Sequence, residues 1–129
     1  MAIAVARTNS PSAQAYQILH IGYAVLPIMA GADKFLHWLT NWDQYLAPVV
    51  ARMLPVPVST FMLLVGVIEV AAGVLVSFAP RIGAYVVAAW LTGIIVNLLL
   101  IPAYLDVALR DFGLALGALA LARLAEDYR

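Results

Sequence analysis

The chain has 129 residues, no cysteine, 65% hydrophobic residues, only 11% charged residues and a formal net charge of zero. A domain this short has too much surface for its volume to hide that much apolar material from water. The composition excludes an ordinary soluble globule, a disordered chain and a nucleic-acid binder with a basic face, as well as disulfide and thiolate chemistry within the chain.

Residues 1–15 are small and polar, with Arg7 ahead of Thr8-Asn9-Ser10-Pro11-Ser12, and read as a flexible N-terminal arm. The rest, 16–129, reads as one transmembrane domain, because a bilayer core of about 30 Å needs roughly 20 helical residues. The expected spans are 16–39, 58–78, 82–101 and 107–124. Pro27 interrupts the first and Asp33-Lys34 marks its exit from hydrocarbon. Pro80-Arg81 separates the second from the third, Pro102 ends the third, and Asp106 is the expected N-cap of the fourth. The first apolar run, ending Ala30-Gly31-Ala32, also imitates a secretory signal with its cleavage site. No mitochondrial or lipidation signal stands out.

Between the first two spans, residues 41–54 carry Trp42, Tyr45, Leu46, Val49, Val50 and Met53 at i, i+3, i+4, i+7, i+8 and i+11. That spacing predicts an amphipathic helix at the membrane surface, which Pro48 can divide in two. Asn41 with Gln44 has the spacing of a capping box. Trp38, Trp42 and Tyr45 have the chemistry of interfacial anchors. The fold class is thus all-α: a polytopic four-helix membrane bundle with an interfacial helix between helices one and two. Both termini then share one side with Arg7, Arg81, Arg123 and Arg129, against Lys34, Arg52 and Arg110 opposite, which favours cytoplasmic termini.

Helices in lipid associate through small residues and polar contacts. Gly66 and Gly73 on helix two, Gly93 on helix three, and Gly113 and Gly117 on helix four are the expected packing positions. Glu69 is the sharpest chemical feature. It lies about ten residues from either end of its helix, near the midplane, where a carboxylate needs a protein partner or a polar cavity. Asn97, Arg110, Asp111, Asp33 and Lys34 group nearer the outer boundary, so the expected candidate site is a polar layer with Glu69 as its floor. Such a layer is expected first as a salt-bridge network that joins helices, and second as a ligand site. Asp106 and Arg110 are spaced as a favourable i,i+4 pair. His20 and His37 are roughly 25 Å apart along a helix, too far for one haem or metal. No metal motif is present, and no residue is singled out as catalytic.

These residues resemble the DoxX-like family of small four-helix bacterial membrane proteins. The resemblance rests on Gly31 with Lys34, Gly66-x-x-Glu69-x-x-x-Gly73, Arg81, and Arg110-Asp111-x-Gly113. Residues 38–54 are an insertion outside that pattern. The resemblance implies a bundle in the bacterial inner membrane. Some members are linked to quinone-dependent sulfur oxidation, others to redox-stress or assembly complexes. Three functions follow as expectations. The first is an accessory subunit of a larger redox, respiratory or photosynthetic membrane complex, with lipid and other membrane subunits as partners. The second is a quinone-linked oxidoreductase component using the polar layer around Glu69. The third is a small-solute or proton transporter.

Overall fold

The computed structural model describes residues 10–128, and all regular structure among them is helical. Residues 1–9 of the expected arm, with Arg7, lie outside the described residues, as does Arg129. Helix α1 spans Pro11–Leu36, α2 Pro48–Met53, α3 Val58–Phe78, α4 Pro80–Leu99 and α5 Leu105–Tyr128, with 3-10 turns at Trp42–Tyr45 and Pro102–Tyr104. Helices α1, α3 and α4 are each long and apolar enough to cross a membrane. Helix α5 has the length, but carries Asp106, Arg110, Asp111, Arg123, Glu126 and Asp127.

Several boundaries differ from expectation for local chemical reasons. Helix α1 begins at Pro11, because Ser10 accepts a hydrogen bond from the Ala13 N–H and Pro11 fits the first turn without a missing bond. It ends at Leu36 rather than 39. His37 adopts a left-handed conformation (φ 56°), and the Asp33 carboxylate takes the backbone N–H groups of Trp38 and Leu39. Asp106 is not the cap of α5 but sits within its first turn, where it accepts from Arg110 at 3.3 Å. Residues 41–54 do not form one helix. Pro48 lacks an N–H and holds Ala47 extended, so a 3-10 turn and the short α2 replace it. The capping box does not close either: Asn41 accepts from the Asp43 N–H, while Gln44 turns to Thr40 at 2.8 Å and to Tyr104 at 3.2 Å.

The four long helices alternate in direction. At one end, Ser12 bonds Tyr128 at 2.7 Å, Tyr16 stacks between His20 and Tyr128, and Arg81 faces Glu126 at 3.6 Å. His20 Nε2 lies 2.9 Å from the Val76 carbonyl oxygen and 3.2 Å from that of Ser77, so this histidine joins α1 to the end of α3. The core lies in this half and is made largely of alanine: Ala24, Ala72, Ala84, Ala88, Ala118 and Ala122, with Val76, Val87 and Leu121. Small side chains bring the backbones close enough for dispersion contacts to hold helices that have no hydrophobic driving force in lipid.

The tightest crossing joins α1 to α3. A Cβ on Gly66 would lie 2.7 Å from the Gly31 carbonyl oxygen, and one on Gly73 would lie 2.6 Å from that of Ala24. Gly83 lies just as closely against Val76 beside the α3–α4 turn, and Gly117 against the Tyr23 hydroxyl. Gly93 and Gly113 are different. Nothing lies within 4 Å of a Cβ built on either, so they do not close a helix pair as expected. Gly93 borders a cavity left where the α1–α3 and α4–α5 pairs separate away from the alanine core, whereas Gly113 is exposed on α5 and lies off that cavity.

Candidate functional site

The cavity has a volume of about 860 Å³ and is walled by all four long helices and by the 40–50 segment. Tyr23 marks its floor, its hydroxyl donating to the Leu114 carbonyl at 2.6 Å and tying α1 to α5. Thr40, Trp42, Tyr45 and Leu46 form its roof. Most of the wall is apolar or aromatic, with Phe61, Met62, Val65, Trp90 and Ile94 among the lining side chains.

Within that wall Lys34 and Glu69 form a buried ion pair, Nζ to Oε1, with side-chain exposures of 4% and 11%. The two come from different helices and different depths. Gly66 makes the contact possible, because its absent side chain leaves room for the lysine stem: a Cβ there would lie 3.1 Å from Lys34 Cβ. The stem thus runs over Gly66 and delivers the ammonium one turn further, at Glu69. The ammonium also sits 4.0 Å from the centre of the Trp42 ring, a cation–π contact that couples the roof to the ion pair.

Trp42 is held there from behind, its Nε1–H donating to Asp33 at 2.8 Å. Asp33 is buried, yet it is not on the cavity wall. Its oxygens are spent on Trp42, Trp38 and Leu39, so it is the cap of α1 rather than part of a ligand layer. Asn97 is likewise committed: its Oδ1 accepts from the Ala47 N–H at 2.9 Å and its Nδ2 donates to the Tyr45 carbonyl at 2.6 Å. It lines the cavity but serves as a clamp that fixes the roof to α4.

Arg110 and Asp111 border the same cavity from α5. The Arg110 side chain is 71% exposed and pairs with Asp106, not with Glu69. Of the expected polar layer, then, Lys34, Glu69, Asn97, Arg110 and Asp111 converge on one cavity, and Asp33 supports it from outside. Among the expected interfacial anchors only Trp38 projects outward, at 82% exposed. Trp42 and Tyr45 turn inward, and Tyr45 packs on Tyr104 with ring centres 4.7 Å apart. Trp90, not anticipated from the sequence, lines the cavity with its Nε1–H buried and without an acceptor. Among the described residues no cluster of His, Asp and Glu converges as a metal site.

This arrangement offers a donor, Lys34, and a carboxyl, Glu69, at the wall of an otherwise greasy chamber. Their charges offset each other, and most of the remaining wall is apolar. It suits a neutral lipophile with a hydrogen-bonding head. No family model, curated protein or solved structure matches the chain.

Proposed function

We propose that this chain is a DoxX-like protein of the bacterial inner membrane in which α1, α3, α4 and α5 all span the bilayer. The end carrying Ser10 and Tyr128 faces the cytoplasm, and the turn and helix from Trp42 to Met53 lie at the opposite surface. The protein acts as an accessory subunit of a larger membrane redox complex, and its cavity holds a neutral lipophile of the quinone class. The observation that carries the ligand reading is the Lys34–Glu69 pair, buried in an apolar cavity of about 860 Å³. A quinone ring needs oxygen-directed donors in a dry site, and the Lys34 ammonium is one. When bound, a quinone supplies two-electron redox chemistry; the chain's own part is to orient the ring, exclude water and hold a proton-bearing pair beside it. The accessory reading is supported by α1, whose Ile18, Ile21, Val25, Leu26 and Met29 are exposed and need lipid or other subunits against them.

Purification in mild detergent followed by organic extraction tests the ligand. A co-purifying quinone, lost in Glu69→Gln and Lys34→Met, is the expected result; phospholipid alone, with no binding of added quinone, would remove the ligand reading. Blue-native electrophoresis tests the accessory role, since a lone small species argues against a larger assembly.

A further inference from the structure

The cavity is not closed on every side. On α4, Ala89, Gly93 and Val96, continued by Leu100, recur at steps of four, three and four and so share one stripe. All four line the cavity, and all four are exposed. A stripe of exposed wall residues, set away from the buried side of its helix, marks a mouth. Gly83, Ala84, Val87, Ala88 and Leu98, the buried residues of α4, lie on another side of the helix. Helices α3 and α4 are in tight contact near their turn, where Gly83 meets Val76, and share the alanine core as far as Ala72 and Ala88. Farther along, Phe61 and Val65 of α3 face the cavity, and Gly93 has nothing within 4 Å of where a side chain would begin.

From this geometry we infer a lateral portal between α3 and α4, with Gly93 at its threshold, through which the tail of a long-chain neutral lipid leaves the cavity while its head stays at Lys34 and Glu69. The inference rests on the reading of the cavity as a lipophile site and adds the route and the chain length. The other gap, between α1 and α5, fits a tail less well. Tyr23 bridges it to Leu114 at 2.6 Å, and Arg110 and Asp111 stand on its border. On the α3–α4 side Phe61, Val65, Ala89, Gly93 and Val96 present apolar surface to a chain that must continue into lipid hydrocarbon.

The test compares a tailless benzoquinone with the same ring carrying a long isoprenoid chain, each titrated into the full-length protein in nanodiscs. Wild type should bind both. Gly93→Phe should keep the tailless ring and lose long-chain affinity by about tenfold or more. Ala89→Leu narrows the same mouth more gently and serves if the phenylalanine variant does not accumulate. Leu26→Phe, on the α1–α5 side of the cavity, should affect the two ligands alike. The portal is overturned if long-chain binding survives both α4 variants, if both ligands are lost together, or if Leu26→Phe is the variant that discriminates by chain length. If wild type binds neither ligand, the lipophile reading itself fails and the portal falls with it; tailless binding without a tail effect sinks the portal alone.

Discussion

Lys34 on α1 reaches across Gly66 to pair with Glu69 on α3, and neither charge has meaningful access to solvent. Removing one partner strands the other as a buried charge, which costs about 3–5 kcal/mol, whereas replacing both with apolar groups is often close to neutral. Lys34→Met and Glu69→Leu should therefore each lower the unfolding midpoint in detergent strongly, and the double variant should recover most of the loss. Additive single effects in that double-mutant cycle would show that the two side chains do not act as a pair.

The glycines should divide into two classes by what stands opposite them. Gly31→Ala and Gly66→Ala push a methyl group into the backbone of the facing helix, so each should destabilise by about 1–3 kcal/mol. Gly66→Ala should also disturb the Lys34–Glu69 pair, because its new methyl meets the lysine stem. Gly93→Ala and Gly113→Ala meet open space, and the better helix former should leave stability unchanged or raise it by up to about 1 kcal/mol. Thermal unfolding of the four single variants separates the classes; equal losses at all four positions would contradict the crossing described.

How much of this was legible beforehand depends on what each residue answers to. Helix extents are readable where they follow from an uninterrupted apolar run, as at Val58–Phe78; Pro80 and Arg81, expected as a turn, open α4 instead, because proline fits the first helical turn and only Ala79 separates the two helices. The convergence of Glu69, Asn97, Arg110 and Asp111 followed from depth along ideal helices. Depth alone puts Lys34 at the boundary, well above Glu69, because a rise per residue positions Cα atoms, and a lysine ammonium lies several ångströms from its own. Gly66, legible as a packing position, also opens the path for the lysine stem three residues before Glu69. Asn97 could not be assigned because its partners, Tyr45 and Ala47, are backbone groups about fifty positions away, and backbone carries no sequence signature. In sequence Trp42 and Tyr45 have the chemistry of membrane anchors, and amphipathic chemistry does not reveal which way a ring turns; the Asp33 carboxylate turns Trp42 inward.

Asn97 should matter through the roof rather than through the cavity wall. Asn97→Ala removes both ties to the 45–47 backbone, each worth roughly 1 kcal/mol. Hydrogen exchange should rise across residues 40–47 while α1 and α3 remain protected, with little change in global unfolding. If exchange in that stretch is unchanged, the roof is held by Trp42 and Tyr104 alone and the clamp is redundant.

The arrangement of the spans can be tested directly because the chain contains no cysteine. Trp38, 82% exposed, and Ala103 lie at one end of the bundle; Phe78, 85% exposed, and Asp127 lie at the other. Single substitutions Trp38→Cys, Ala103→Cys, Phe78→Cys and Asp127→Cys give four unique thiols. With four spans and cytoplasmic ends, a membrane-impermeant thiol reagent applied to intact cells with a permeable outer membrane should label the cysteines at 38 and 103, and those at 78 and 127 only after lysis. The reverse pattern would invert the orientation while keeping four spans. Labelling at 103 and 127 from the same side would be a different outcome: it would mean that α5, the most charged of the long helices, does not cross the bilayer, and that the cavity has lipid or a partner on the side now assigned to α5.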